Sequence, residues 1–348
     1  VSTVPDPRPR ARDLNITIGA LPTGSSNAIT DVSGVRVGHT TCIEGDSIRT
    51  GVTAILPHSR NLFIEKVVAA VHVINGYSKS LGLSQIVETG TIETPILLTS
   101  TLNVWRAADA LVTWMAERNE GLISVNPIVG ECNDARLNDI LCRSIGPSHV
   151  HEALAKASEG AIEEGNVGAG TGMTGFGWKG GIGTSSRVTN GFTVGILVLT
   201  NTGDPAELRI DGFPFGRHVV PGPSTTSDKG SIMILLATDA PLTARQLRRL
   251  TSRCALGLGR IGGTAGHGSG DFVIGFTTAA TVTADWELMI PEGGFIAENK
   301  LSPLFSAAVD ATEEAILNSI LKADTLTGRD GNTRHGIPLD RVRELLQS

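Results

Sequence analysis

Six consecutive apolar residues, Ile232-Met233-Ile234-Leu235-Leu236-Ala237, follow Gly230-Ser231 directly. A run this short and this rich in aliphatics reads as a buried strand. A polar stretch from Pro221 to Lys229, rich in Pro and Ser, precedes it. The chain therefore passes abruptly from a flexible connection into the core, and any fold has to place Ser231 at the mouth of a rigid strand. A Gly-Ser bond at that point suits backbone self-cleavage. Glycine leaves its carbonyl unshielded, and the next residue brings a hydroxyl within reach of it. Cleavage would give Ser231 a free α-amine, which titrates at about 7.7–8.0 and can serve as base for its own hydroxyl. The plainer reading of the same residues is a loop followed by a core strand, and this stretch alone does not separate the two.

With 348 residues and 40% hydrophobic content, the chain can bury a sizeable core in one large domain or two small ones. A net charge of -6 offers nothing to nucleic acid or to an anionic membrane. Glycine is abundant (42 residues) beside nine Phe, four Trp and one Tyr, a balance that points to tight turns and close backbone approaches. The four cysteines, Cys42, Cys132, Cys142 and Cys254, form no CxxC motif. His39, His58, His72 and His267 are isolated and no HExxH occurs, so neither a metal nor a cofactor is expected. No apolar run reaches the ~18 residues of a membrane span. The N-terminus, with Pro5, Pro7 and Pro9 among arginines, lacks a leader's apolar centre, so a cytoplasmic location is expected; a leader trimmed before Val1 is compatible as well.

In chain order, residues 1–14 read as an extended arm and 27–39 as strand and turn. Strands are expected at 50–57 and 67–74, the latter closed by the turn dipeptide Asn75-Gly76. A loop from Glu93 runs into a buried segment ending at Ser100, and Asn103–Arg118 has helical periodicity. Polar residues 129–139 are wedged between apolar elements, and His151–Glu164 reads as an amphipathic helix. Gly168–Gly183 is the densest glycine tract. It contains a superficial GxGxxG without GK[ST] or an evident helix start, so turns around a glycine-walled pocket are expected over a phosphate cradle. A strand at 192–200 ends in Asn201-Thr202-Gly203, and 204–229 is the best candidate linker. Thr243 and Gln246 have capping-box spacing and open a helix to about Leu256. A glycine loop from 257 to 270 enters a strand at 272–278. Ser302-Pro303 starts a helix to about Ala323, and a short helix begins at Leu339.

Polar clusters stand at strand ends or beside glycine loops: Glu131/Asn133, Asn201, Ser231 and Ser269/Asp271. Acyl transfer needs a nucleophile, a base, an orienting acid and an oxyanion donor. Ser231 and its freed amine fit the first two. The Asn201 side-chain N–H2 fits an oxyanion hole. Asp271 can act through the Ser269 hydroxyl toward Ser231, and Glu131 can hold a cationic amine. Singly, each also has an ordinary structural reading: a turn cap for Asn201, turn amides for Asp271, an ion pair with Arg136 for Glu131.

Taken together, Asp31–His39, Thr50–Pro57, Glu93–Ile96, Val129–Glu131, Gly170–Gly172, Asn201, Gly230–Ile232, Ala237–Leu242, Gly268–Asp271 and Leu301–Phe305 resemble the L-aminopeptidase/D-esterase family of the DmpA type, which includes the β-peptidyl aminopeptidases, over nearly the whole length. The resemblance implies an α+β fold, the αββα four-layer sandwich shared with ornithine acetyltransferase. It implies a single catalytic domain, residues 1–348, cut by its own serine into 1–230 and 231–348, and release of N-terminal residues from small peptides, amides and esters. Ser231 matches the nucleophile, Asn201 the oxyanion residue, Ser269 and Asp271 the supporting pair, and Glu131 the carboxylate that meets the substrate amine. A homo-oligomer, a tetramer of cleaved heterodimers, is implied too. Three departures bear on substrate choice: Cys132-Asn133 in place of an aromatic, Asp271 where some members have Glu, and the segment Asn75–Ser80. Two other functions remain open from sequence: an acyltransferase on the same scaffold, although its relatives use Thr as nucleophile, and an anion-binding module built on Gly168–Gly183.

Overall fold

The computed structural model describes residues 8–222 and 230–346. The strand that follows Gly230 forms over Ser231–Thr238 with every residue buried. In chain order the strands are β1 (Arg36–Glu44), β2 (Ile48–Leu56), β3 (Glu65–Gly76), β4 (Thr91–Ile92), β5 (Ile96–Ser100), β6 (Ile128–Cys132), β7 (Thr174–Gly175), β8 (Trp178–Lys179), β9 (Ile182–Thr189), β10 (Phe192–Asn201), β11 (Ser231–Thr238), β12 (Gly270–Thr283) and β13 (Leu288–Met289). The main helices are α1 (Leu83–Thr89), α2 (Val104–Ala116), α3 (Pro147–Ala155), α4 (Ala244–Thr251), α5 (Cys254–Arg260), α6 (Ser302–Leu321) and α7 (Leu339–Leu346).

Two sheets carry the fold. One has four strands in the order β1-β2-β5-β6; the other has seven, with β4-β3-β12-β11-β10-β9 along its path and β13 paired to β12. Strands from both sides of Gly230 thus share the larger sheet. Alternation along β11 decides the layering, because successive side chains point to opposite faces. Met233, Leu235 and Ala237 pack with Leu98, Ile55 and Ile128 of the small sheet, forming the layer between the sheets. Ile232, Ile234 and Leu236 pack outward with Leu247, Leu258 and Ile316 of α4, α5 and α6. The outer face of the small sheet is covered by α2 and α3 through Ala107, Leu111, Val150 and Leu154. This is the expected αββα order. Helix α6 is buried almost all round against β9 and β10, and only glycine fits at position 183: a β-carbon there would lie 2.0 Å from the Ala315 carbonyl oxygen.

Several local expectations are corrected. The chain does not turn at Asn75-Gly76; β3 continues through both, Asn75 pairing with Asp271 and Gly76 with Gly270. The helix expected over 151–164 is α3, which starts at Pro147 and ends at Ala155, because Ser158 bridges back to Val37 of β1. The helix from Thr243 has its capping box but divides into α4 and α5, so the glycine loop begins only after Arg260. Of the N-terminal arm, residues 8–14 are tied in: Arg8 donates to the carbonyls of Leu321 and Ile337, and Ala11 and Leu14 are buried. Within the expected linker, residues 204–222 bury Leu208, Ile210 and Phe215 in the core; residues 223–229 lie outside the described residues. The Gly168–Gly183 tract is neither a cradle nor a walled pocket. It closes around the fully buried Lys179, whose Nζ donates to the carbonyls of Gly170 (3.0 Å) and Gly180 (2.7 Å), and whose ammonium burial pushes down to about 7. Among the described residues, no helix is long and apolar enough to cross a membrane.

Candidate active site

Register brings the sequence candidates together. In the antiparallel pair β10–β11, Asn201 stands directly opposite Ser231. Residues so paired share a face, and for these two it is the face toward the small sheet. On the other side of β11, β12 runs parallel and begins at Gly270, whose N–H donates to Ser231 Oγ at 3.2 Å. Ser231 is 6% exposed, so its hydroxyl sits at a nearly closed strand mouth.

The Asn201 amide is oriented from both ends. Oδ1 accepts from the Thr174 N–H (2.8 Å), and Nδ2 donates to the Asn133 carbonyl (3.0 Å). An amide nitrogen carries two hydrogens, so one N–H remains beside Ser231. The glycine tract therefore does serve the site, by supplying Thr174. Ser269 Oγ donates to Asp271 Oδ1 at 2.7 Å, and that same oxygen accepts the Ile232 N–H at 3.1 Å. Asp271 Oδ2 is buried and has no hydrogen-bond partner among the described residues. Burial raises this carboxyl to about 6, against the lowering effect of the Ser269 hydroxyl and the Ile232 N–H. A bulge in β3 opposite Asp271 and Phe272 breaks the regular ladder here, as bulges commonly do beside sites that re-aim a side chain.

Glu131 comes from the other sheet, near the end of β6, and is 2% exposed. It does not use Arg136. Oε1 accepts from Ser78 Oγ (2.7 Å) and the Lys79 N–H (2.8 Å), and Oε2 accepts from Thr101 Oγ1. A carboxylate has about four acceptor positions, so one remains, on Oε2. The ends of β6 and of β10, β11 and β12 thus meet at one edge of the sandwich. Beside Gly230 lies a cavity of about 290 Å³ lined by Thr202, Gly203, Asp204 and the loop Thr264–Ser269.

All five sequence candidates fall within this edge. Sequence reasoning missed Ser78, Thr101, Thr174 and Gly270, which hold them. The drift noted at Asn75–Ser80 was the one available signal, since that segment contains Ser78. A separate group, Cys42, Glu44 and His149, has possible ligand atoms within 4.8 Å of one another. There, His149 Nδ1 accepts the Gly146 N–H at 3.2 Å.

Four layers with a strand-end serine facing the inter-sheet space make this an α+β sandwich. Comparison with known proteins agrees. The chain belongs to peptidase family S58, whose model matches residues 27–334. It is 39% identical to the β-peptidyl aminopeptidase BapA of Sphingosinicella xenopeptidilytica, over 98% of this chain and 91% of that protein. Among solved structures it resembles the PH0078 protein of Pyrococcus horikoshii OT3 (46% identity, TM-score 0.93, covering 97% of this chain and 99% of that one). It also resembles the L-aminopeptidase D-Ala-esterase/amidase of Ochrobactrum anthropi, described as a prototype for the serine aminopeptidases and a variant of the Ntn hydrolase fold (36%, TM-score 0.90, 98% of each chain). The expected family and fold are thereby established, and with them a hydrolase of the aminopeptidase type.

Proposed function

We propose that the protein is an N-terminal-nucleophile serine aminopeptidase and amidase that cuts itself between Gly230 and Ser231 and then releases N-terminal residues from small peptides, amides and esters. The observation that carries this is the grouping of Ser231, its Gly270 N–H donor, the opposed Asn201 amide and the Ser269–Asp271 pair at one strand mouth. In processing, Ser231 Oγ attacks the Gly230 carbonyl carbon. The C–N bond breaks as the C–O ester forms, the hydroxyl proton passes to the departing nitrogen, and water then releases Gly230 as a carboxylate. In turnover the new α-amine takes the Ser231 proton and returns it to the leaving amine as Ser231 Oγ becomes acylated, and water then hydrolyses the ester, freeing the acyl group as a carboxylate and restoring the hydroxyl. Asn201 Nδ2 stabilises the oxyanion. The unpartnered Oδ2 of Asp271 is the acceptor for the Ser231 ammonium formed on the way. The remaining acceptor position of Glu131 takes the substrate's cationic amine. By family resemblance the assembly is a tetramer of cleaved heterodimers, which light scattering on the processed protein measures directly.

Ser231→Ala tests the reading. One hydroxyl serves both reactions, so self-cleavage and hydrolysis of amino-acid p-nitroanilides should both vanish while the fold persists. An Ala variant that still turned over a peptide amide would place the nucleophile elsewhere.

A further inference from the structure

The segment Asn75–Ser80 joins parts of the site that lie far apart in sequence. At its start, the Asn75 amide donates to the carbonyls of Gly266 (3.1 Å), His267 (3.2 Å) and Ser269, and the Tyr77 N–H donates to Ser269 at 3.2 Å. These bonds hold the loop that leads into β12. Further on, two of the hydrogen bonds to Glu131 come from Ser78 and Lys79. Between them, Ser78 packs on Gly270: a β-carbon on Gly270 would lie 2.8 Å from Ser78 Cβ, so the contact exists only because position 270 is glycine. Gly270 is the residue whose N–H holds the nucleophile's oxygen. One side chain therefore touches both the residue that places Ser231 and the carboxylate across the cleft.

We propose that Ser78 sets the span between Glu131 and Ser231, and so determines which amino-acyl chain length reaches the nucleophile. The inference rests on the reading above that Glu131 holds the substrate amine. An amine fixed at one end and a carbonyl attacked at the other make that span a ruler, because one extra methylene displaces the carbonyl from Ser231. Thr101 also donates to Glu131, but from the segment after β5, in the small sheet. Its loss should weaken the carboxylate without changing the ruler.

The test compares p-nitroanilides of alanine and of β-alanine with the p-nitroanilide of propionic acid, which has the same leaving group and no amine. The wild type should discriminate between the two amino-acyl substrates, by roughly 10- to 200-fold for one methylene. Ser78→Gly, which removes both the β-carbon against Gly270 and the hydroxyl on Glu131, should shrink that ratio at least about fivefold, raising KM for the preferred substrate more than it lowers kcat. Thr101→Val should raise KM for both amino-acyl substrates alike and keep the ratio. Self-cleavage and circular dichroism confirm that each variant folds. An unchanged ratio in Ser78→Gly overturns the proposal. So does an equal loss on the propionyl anilide, which would make Ser78 a support of the nucleophile alone. A wild type that prefers the propionyl group overturns the Glu131 reading itself, and this outcome is seen before any variant is made.

Discussion

Asp271→Asn separates stability from chemistry. The carboxyl is buried, and its rise to about 6 from an ordinary 3.8 means that ionising it in place costs about 3 kcal/mol more than in water. The folded value lies above the unfolded one, so ionisation favours the unfolded chain. Stability should fall as pH climbs from about 4 to about 6, and the loss persists above that. Asn cannot ionise and escapes this cost. It does put an N–H2 where Oδ2 lacks a partner, a penalty of about 1–3 kcal/mol. With Ser231→Ala added to both proteins so that neither is cleaved, the Asn variant should at pH 7.5 be as stable as its Asp counterpart or up to about 2 kcal/mol more stable; at pH 4.5 the advantage should vanish or reverse. Turnover should still fall, on the order of 100-fold, because the carboxylate no longer supports the Ser231 ammonium, and processing should slow because Ser269 loses the carboxylate that orients its hydroxyl. Denaturation followed by circular dichroism at the two pH values, with kcat/KM measured from pH 5 to 9, tests both halves. Unchanged rates with the fold intact would refute the reasoning.

Glu131→Gln should raise KM for substrates with a free amine by 10- to 100-fold, since a charged hydrogen bond contributes roughly 1.5–3 kcal/mol, and should slow self-cleavage far less because processing presents no amine; equal losses in steady-state and processing assays would make Glu131 a folding residue. Gly230→Val should slow processing at least about tenfold, because its β-carbon would lie 2.3 Å from the Asn201 carbonyl oxygen and the backbone must move out of reach of Ser231. Turnover per cleaved molecule should drop far less; a gel time course with active-site titration separates the two, and normal processing by the Val variant would refute the placement of that carbonyl.

The strands of the larger sheet were legible because burial on both faces leaves unbroken aliphatic runs, as in β10 and β11. The end of β3 was not. Asn75-Gly76 carries turn chemistry, but tertiary pairing with β12 overrides it and diverts the Asn75 amide to the loop at 266–269. The N-terminal arm misled in the same way: its prolines suggest exposure, whereas Arg8 donates to the carbonyls of Leu321 and Ile337 near the far end of the chain and Arg12 pairs with Glu314. In the site, Ser231, Asn201, Ser269, Asp271 and Glu131 stood out through strand-end position and family resemblance. Ser78, Thr101 and Thr174 are ordinary polar residues. Their partners are 53, 30 and 27 positions away, and no local pattern records such a meeting. Gly168–Gly183 shows the converse: a conspicuous motif whose work is to wrap Lys179 and present one N–H to Asn201.

The most direct test of a serine that activates itself through its own amine is intact-mass spectrometry of freshly purified, active protein, set beside the specific activity of the same sample. The account predicts two associated pieces, residues 1–230 and 231–348, with activity rising in proportion to the cleaved fraction. A single full-length species with undiminished activity would contradict it, because an amide nitrogen at Ser231 cannot take the proton, and the base would then have to be another residue.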